Sequence, residues 1–531
     1  MKEIKGVIKK LKRRKAAGPD EIPVELLKEM NDKQIGKVRE ILVAWWNDES
    51  IKEEHLRARV VLIFKKGDTN KFENYRPISL LNTLYKVFAA ILQKRISAVL
   101  DKYLQRTQFG FRKDKSTADA IHLVRRVIEF GESTTNQLHL LLLDWEKAFD
   151  KVDREELFGA MERMGVEDKI VRLVRALYKE TKFKIEFDGH TSDWMKQETG
   201  IRQGCPLSPY LFLIVMTTLF HDVHAKLGSI MTRNRVPGAE FDEVTYADDT
   251  ICISRCTKAL NEFVKVIESE GRRYGMRLNK GKCELITTHP NADVHFGDET
   301  RINKTRKAVY LGCELGIKLR GNEELSKRIA NTMIIMKKLD AFWRHSDCTV
   351  TTKIQVADAV LRAKLLYGME SAQLTPAVVK RLETFQLKVL RKILNMKTTY
   401  IDRANTNDLV FRTANEKIEE DAEGSNKRKK IVTFVEAYKR QKVKRACKVI
   451  RQEGSAIHKV SFSGNKLRKW IHRNRRVGRP RLNWTEETIK ELWDTIKKED
   501  PAFRFQAFDG DNESIINKIK RYAESQDREK K

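Results

Sequence analysis

The chain has 531 residues, 41% of them hydrophobic, which is too long for one core and predicts two or three structural units. Its 105 Lys and Arg against 74 Asp and Glu give a formal net charge of +31, which indicates a polyanionic partner, either nucleic acid or an anionic membrane surface. No apolar run reaches the length of a membrane span or a signal core, and the seven cysteines are scattered singly. We therefore expect an intracellular protein in a reducing compartment.

Helices and strands alternate over the first 320 residues and are joined by hairpins rather than by strict crossovers. Helical spacing of apolar residues predicts helices at 21–30, 37–46, 80–100, 116–130, 154–164, 169–180, 208–227 and 258–274. Strands are predicted at 57–64, 140–143, 182–187, 193–198, 284–287 and 308–315, whereas 74–79 reads as a loop. This order favours an α+β unit on a mainly antiparallel sheet.

Beyond residue 320 the pattern changes to helices and then to a strongly basic segment. Residues 323–396 are predicted to be wholly helical, with one apolar stripe formed by Leu382, Phe385, Val389 and Ile393. Residues 421–425 have the composition of a linker. Residues 426–484 contain 20 Lys or Arg against two Glu, and a final helix is predicted at 485–498. The sequence thus predicts a helical unit followed by a basic module that binds nucleic acid.

Two acidic sites follow apolar strands about a hundred residues apart. Asp144 ends the run Leu140–Leu143, and Asp248 and Asp249 lie at the tight end of a predicted hairpin that begins with Tyr246. Such strand-borne carboxylates are what a two-metal phosphoryl-transfer centre requires, because Mg²⁺ is held by a few carboxylates together with substrate phosphates. An Asp in a hairpin turn also bonds its own backbone, so the segment 246–249 taken alone is equally explained by a purely structural turn.

Further segments follow in a fixed order: 144–150 with Phe149, the Gly- and Pro-rich 200–209, 275–282 and 309–312. Together with the acidic sites, these segments resemble the reverse transcriptases of non-LTR (LINE-type) retrotransposons over roughly residues 10–400. The resemblance implies a right-hand polymerase whose palm is a ferredoxin-like antiparallel sheet. The implied parts are fingers (1–135), palm (136–320), helical thumb (321–400), linker (401–425) and a basic nucleic-acid-binding C-terminal region (426–531).

The resemblance also implies an activity and its partners. The chain would be an RNA-directed DNA polymerase that uses an RNA template, a DNA primer or target DNA and dNTPs, acts in the nucleus and has no membrane partner. Asp144 and Asp248 would bind two Mg²⁺ ions, for which Mn²⁺ substitutes, and Asp249 would assist. Lys282 would protonate the leaving pyrophosphate.

Other residues receive implied roles in substrate binding. Phe149 would be the steric gate against a ribose 2′-hydroxyl, and Lys65 and Arg76 would contact the triphosphate. Arg202, Gln203 and Gly204 would pack on the nucleotide and template, and Tyr310, Leu311 and Gly312 would form the primer grip. Arg112, Lys388, Arg391, Arg479 and Arg481 would contact nucleic acid. Taken singly, each cation is also typical of a solvated surface, and Phe149 is also typical of a core.

Two alternatives remain at this level. One is a group II intron-type reverse transcriptase with maturase function, and the other is a non-catalytic RNA-binding scaffold or decayed copy. The endonuclease domain and the Cys/His zinc knuckle of many such elements have no counterpart here, so we expect the chain to be a fragment of a longer element.

Overall fold

The computed structural model describes residues 1–134, 136–317, 321–421, 430–468 and 483–528. Helices and strands alternate up to residue 317, as predicted, and helices dominate the described residues beyond it. None of the helices in these ranges combines the length and apolar character needed to cross a lipid bilayer.

The N-terminal region packs helices against two strands. Its elements are α1 (Lys2–Lys10), α2 (Val24–Glu29), α3 (Asp32–Asp48), α4 (Glu53–Leu56), β1 (Ala58–Phe64), β2 (Tyr75–Leu81), α5 (Thr83–Leu100) and α6 (Thr117–Ser133). Strand β2 occupies most of the predicted loop, because antiparallel pairing with β1 satisfies its backbone groups. Pro77 is tolerated there since β2 is the edge strand of its sheet.

Residues 136–317 contain most of the remaining strands. The elements are β3 (His139–Leu143), α7 (Ala148–Lys151), α8 (Arg154–Arg163), α9 (Asp168–Tyr178), β4 (Lys182–Phe187), β5 (His190–Thr191), β6 (Met195–Lys196), α10 (Ser208–Leu227), α11 (Ile230–Arg233), β7 (Glu243–Tyr246), β8 (Asp249–Ser254), α12 (Thr257–Arg273), β9 (Glu284–Thr287), β10 (Asn303–Lys304), β11 (Ala308–Tyr310) and β12 (Cys313–Leu315).

The palm sheet has the strand order β10-β9-β3-β8-β7. The pairs β3–β8, β3–β9 and β7–β8 are antiparallel. With α10 and α12 packed together on the sheet, the strands β3, β7, β8 and β9 follow the β-α-β-β-α-β order of ferredoxin-like folds. α10 is apolar on nearly all sides and is buried along its length, as a central helix must be. The predicted α+β fold with an antiparallel palm is confirmed.

A second sheet, the fingers sheet, has the order β2-β1-β4-β5, with β6 also paired to β4. β4 joins β1 in parallel register, and the turn after it places Asp188 and Gly189 at positive φ, as hairpins with a primed turn require. Residues 182–196 therefore belong with the fingers, although they lie within the range 136–320 predicted for the palm. Sheet membership follows from pairing in space, which chain order alone does not fix.

Residues 321–421 form a helical unit with its own core. Its helices are α13 (Gly321–Lys338), α14 (Asp340–His345), α15 (Val350–Ala357), α16 (Ala363–Leu366), α17 (Pro376–Ile393) and α18 (Asn407–Glu420), with a π-helical turn at Asp358–Arg362. The apolar stripe predicted on α17 is buried. Helicity is broken at Gly368, which has φ of +69°, so 323–396 is not one uninterrupted helical run.

The C-terminal elements are α19 (Phe434–Arg451), α20 (Ala456–Lys459), β13 (Phe462–Ser463), β14 (Lys466–Leu467), α21 (Trp484–Glu499) and α22 (Glu513–Arg528). They share one apolar core with α6 and the palm sheet. Arg445 and Lys448 bond the buried carboxylate of Asp119 on α6, and the Trp484 ring packs edge-on against His122 at 4.6 Å. This region is therefore part of the palm's core and not a separate module.

Candidate active site

Three carboxylates meet at one end of the palm sheet. The register of β3 and β8 pairs Leu143 with Thr250, so Asp144 lies just past this pair, level with Asp249. Asp248 occupies the two-residue turn between β7 and β8. The structure thus brings together the three acidic residues that the sequence predicted as one site.

Desolvation by the surrounding protein and the negative charge of its two neighbours raise the pKa of Asp249 to about 6. Desolvation likewise raises the pKa of Asp248, and Asp144 contributes to that rise. Both side chains still reach solvent, as expected in a cleft. A set of hard carboxylate oxygens whose charges repel one another fits a divalent, oxygen-preferring cation, which relieves that repulsion.

Lys282 also belongs to this site. Its Nζ lies 3.6 Å from Asp144 Oδ2, and the side chain is 64% exposed. The turn that carries Lys282 is fixed to β3 because Asn279 N–H donates to the backbone oxygen of Asp144 at 2.8 Å. The ammonium group is therefore held at the rim of the acidic cluster, where it can meet an anionic leaving group.

Two cations of the fingers sheet face the acids. Lys65 follows β1 and Arg76 lies on β2, and both side chains are exposed. Lys65 N–H donates to Asn74 O at 2.8 Å, which closes the loop between the strands. The charges of both residues act against the rise in the pKa of Asp248. The cleft therefore has an acidic floor and a basic wall, which suits a triphosphate bound through metal ions.

Phe149 stands beside the cleft, half-buried. Its ring stacks on Phe212 with centroids 4.7 Å apart, and Phe111 meets it edge-on at 6.3 Å. Since Phe149 follows Asp144 by five residues on the short helix α7, its ring borders the site that a nucleotide would occupy. Packing in the core and gating of the sugar are both compatible with this position.

The segment 202–204 lies beneath the cleft and mainly contacts protein. Arg202 is 1% exposed, and its guanidinium donates to Leu56 O and Gln197 Oε1. Gln203 Nε2 donates to Asp150 Oδ1 at 3.1 Å. Gly204, at φ of +120°, presses on Ser79, whose backbone oxygen would lie 2.5 Å from a Cβ. In this structure Arg202 is hydrogen-bonded to the residue that precedes β1 by two positions, Leu56, and Gly204 permits close approach of the Ser79 backbone.

The predicted primer grip is a separate hairpin of β11 and β12. Leu311 and Gly312 both have positive φ, which is the geometry of a primed hairpin turn. Tyr310 is buried, and burial raises the pKa of its hydroxyl, with the negative charge of Asp249 contributing. Tyr367 of the helical unit donates to Leu311 O at 3.0 Å. The hairpin therefore contacts the helical unit and lies close enough to Asp249 for its charge to act on Tyr310.

The residues predicted to contact nucleic acid have different surroundings. Arg112 is buried and bonds Asp101, and Arg391 bonds Asn405 O and Asn407 Oδ1, so both side chains are occupied by protein contacts. Lys388 is exposed on α17. Arg479 and Arg481 lie outside the described residues. A pattern of charges along the chain cannot distinguish a cation that meets phosphate from one that fixes a loop.

One residue of the site was missed by the sequence analysis. Gln108 lies beneath the turn that carries Asp248 and receives the backbone N–H of Ala247 at 3.0 Å. Of this segment, only Arg112, four residues further along the chain, received a role from the sequence, and no signal there singled out Gln108. Only the fold shows that this segment reaches the turn.

A second group of ionisable residues lies at the start of β7. His224 Nε2 is 2.9 Å from Glu243 Oε2. Burial lowers the pKa of His224, but the carboxylates of Glu243 and Asp242 outweigh it and raise this pKa above its usual value. Arg235 bonds both oxygens of Asp242. Since these carboxylates are already paired with cations, the group is an ion-pair network rather than a metal centre.

Residues 63–315 match the family model described as reverse transcriptase (RNA-dependent DNA polymerase). That range contains all three carboxylates, Phe149 and the hairpin of Tyr310. The chain is 23% identical over 418 residues to "RNA-directed DNA polymerase from mobile element jockey" of Drosophila funebris, an alignment that covers 74% of this chain and 43% of that protein.

Two further relatives are similar over shorter ranges. The "Transposon TX1 uncharacterized 149 kDa protein" of Xenopus laevis is 27% identical over 226 residues, which is 43% of this chain and 17% of that protein. The "Retrovirus-related Pol polyprotein from type-1 retrotransposable element R2" of Nasonia vitripennis is 26% identical over 259 residues, which is 49% of this chain and 24% of that protein. The chain spans less than half the length of each of these three relatives.

Proposed function

Since residues 63–315 belong to the reverse transcriptase family, we propose that this chain is the RNA-directed DNA polymerase of a non-LTR retrotransposon. It copies an RNA template into DNA from the 3′-hydroxyl of a DNA primer. The observation that carries the proposal is the meeting of Asp144, Asp248 and Asp249 under the basic wall of the fingers. A non-catalytic scaffold has no use for three carboxylates that repel one another.

Reverse transcriptases generally use divalent metal ions, and Asp144 and Asp248, with help from Asp249, would hold two Mg²⁺ ions here. Ions at this site would supply a lowered pKa of the primer hydroxyl and compensation of the charge on the pyrophosphate. Mn²⁺ substitutes for Mg²⁺ because it prefers the same oxygen ligands.

The protein side chains position the substrates around these acids. Lys65 contacts the triphosphate as a point charge, and Arg76 makes paired hydrogen bonds to it. Lys282, beside Asp144, donates a proton to the leaving pyrophosphate.

The hairpin of Tyr310, Leu311 and Gly312 holds the primer end, and Lys388 on the thumb follows the phosphates of the hybrid duplex. We assign Arg479 and Arg481 to nucleic-acid contact as well. The basic segment 426–430 supports action in the nucleus.

The primary test is primer extension with purified protein, using oligo(dT) annealed to poly(rA), dTTP and Mg²⁺. We expect extension that EDTA abolishes and that excess Mg²⁺ restores. Asp248→Ala serves as the catalytically dead reference. Binding of the template without extension, equal in both proteins, would instead indicate a scaffold.

A second prediction concerns the choice of sugar. Phe149→Val opens the space beside the nucleotide, and we expect discrimination against rNTPs to fall about tenfold to a hundredfold, the range typical of a packing contact. The measurement is kcat/KM for dTTP and UTP on the same template and primer.

Phe158→Val is the matched control for the sugar prediction, because Phe158 is a buried ring on α8 away from the cleft. Both variants lose packing, so both are expected to unfold at a lower temperature, and only Phe149→Val is expected to accept UTP. If the ratio of kcat/KM for dTTP to kcat/KM for UTP is unchanged in Phe149→Val, the Phe149 ring contributes only to packing.

A further inference from the structure

Residues 107–109 extend the palm sheet at its β7 edge. Thr245 N–H donates to Thr107 O at 3.0 Å, and Phe109 N–H donates to Thr245 O at 2.9 Å. Gln108 thereby pairs with Thr245 in parallel register. This segment is therefore joined, by backbone hydrogen bonds, to the strand that leads into the acidic turn.

The side chain of Gln108 reaches the turn itself. Its Oε1 accepts the backbone N–H of Ala247 at 3.0 Å and that of Gly110 at 2.8 Å. Gln108 is 1% exposed, so water does not compete for these bonds. One buried amide oxygen thus ties the residue before Asp248 to the neighbouring segment.

The turn requires such support because its backbone is strained. Ala247 has φ of +57°, a conformation that residues with a side chain adopt rarely and keep only where the surroundings hold it. Gly110 fits directly against the turn, since a Cβ at this position would lie 2.5 Å from Ala247 N. The shape of the segment and its hydrogen bonds therefore act on the same peptide group.

The segment that carries Gln108 is itself anchored. The Arg112 guanidinium donates to both carboxylate oxygens of Asp101, at 3.1 and 3.0 Å, and to the backbone oxygen of Gln105 at 2.9 Å. Asp101 directly follows α5, a long and mostly buried helix. Hydrogen bonds of Arg112 thus tie the segment that carries Gln108 to the C-terminal end of α5.

We propose that Gln108 is a positioning residue that holds the Ala247–Asp248 turn, so that the Asp248 carboxylate keeps the geometry in which it binds a divalent cation. The proposal rests on the function proposed above and extends it to a residue that touches neither metal nor substrate. An error of about 1 Å in the placement of a reacting group costs about a hundredfold in rate. The contribution of Gln108 should therefore be visible in both metal affinity and turnover.

The test compares Gln108→Met with Gln386→Met. Methionine keeps the volume of glutamine and removes its hydrogen bonds, and Gln386 is a matched control because it is a buried glutamine that bonds Phe434 N–H and Val432 O in the thumb. Binding of Mn²⁺ is titrated by electron paramagnetic resonance, with Asp248→Ala defining the signal of the site. Thermal unfolding and the Mg²⁺ dependence of primer extension are measured on the same preparations.

We expect both variants to lose thermal stability, and only Gln108→Met to bind Mn²⁺ about tenfold more weakly and to extend primers about a hundredfold more slowly. If Gln108→Met binds Mn²⁺ and turns over like Gln386→Met, the proposal is overturned. If Gln108→Met does not fold, Gly110→Ala takes its place, because its Cβ pushes on Ala247 N while Gln108 is retained. Wild-type Mn²⁺ affinity in a folded Gly110→Ala would equally overturn the proposal.

The two measurements separate this proposal from the proposed function. A wild-type protein that extends no primer, while Gln108→Met still weakens Mn²⁺ binding, would refute the polymerase activity and support the positioning role.

Discussion

Replacing Asp144 by asparagine is expected to slow primer extension about a thousandfold or more, because a metal-bound carboxylate contributes several kcal/mol to the transition state. Asparagine has the size of aspartate and leaves the backbone hydrogen bond from Asn279 N–H to residue 144 in place. The substitution therefore removes a charged ligand together with its solvent-exposed ion pair to Lys282, which contributes little to stability. Single-turnover extension rates at saturating Mg²⁺ measure the effect.

The same substitution should not destabilise the protein, since Asp144 adds to the repulsion that raises the pKa of Asp248 and Asp249. We expect an unfolding temperature in EDTA equal to that of the wild type or higher. Asp153→Asn is the matched control, because Asp153 caps α8 through Glu155 and Glu156 N–H and asparagine caps equally well. An Asp144→Asn protein that unfolds early, or that retains wild-type rates, would contradict the assignment.

Asp119→Ala is expected to cost about 3–5 kcal/mol of unfolding free energy, as breaking a buried ion pair does. The Asp119 side chain is fully buried. Burial alone would raise the pKa of its carboxyl group, but the charges of Arg445 and Lys448 hold this pKa below its usual value. Removing the Asp119 carboxylate takes the nearest acidic group away from Arg445, whose side chain is 8% exposed, and leaves it with the more distant Glu370 at 3.7 Å. Urea denaturation followed by circular dichroism measures the loss.

The double variant Asp119→Ala/Arg445→Met distinguishes the buried ion pair from a simple loss of packing. We expect it to be more stable than Asp119→Ala alone, because the buried guanidinium that lost its nearest carboxylate is also removed, while Lys448, whose side chain is 26% exposed, still reaches solvent. Equal or greater destabilisation in the double variant would mean that packing, and not the charge, carries the contact between α6 and α19.

The palm was largely predictable because its determinants are local. Short apolar runs located β3, β7 and β8, and the acids at their ends followed from the strand boundaries. β2 escaped prediction since Pro77 argues against a strand, and only its edge position makes it tolerable. The membership of β4 in the fingers sheet depends on pairing with β1, more than a hundred residues earlier in the chain.

The chemical roles of the cations were less predictable than those of the acids. Lys65 and Arg202 look alike in the sequence, yet one is exposed above the acidic turn and the other is buried under the fingers. An arginine satisfies backbone oxygens in a core as readily as it meets phosphate. Whether a cation is buried depends on tertiary packing, which the spacing of motifs along the chain does not determine.

The contact between Asp119 and Arg445 joins positions 326 residues apart. Helix α6 is translated about 300 residues or more before the helices that cover its apolar side, α19, α21 and α22. The core of the palm is therefore complete only after α19, α21 and α22 have been translated, and long-range contacts of this kind are formed slowly. A chain that stops after residue 421 contains Asp144, Asp248 and Asp249 but leaves the apolar side of α6 exposed to solvent. Such an exposed apolar surface favours aggregation over activity.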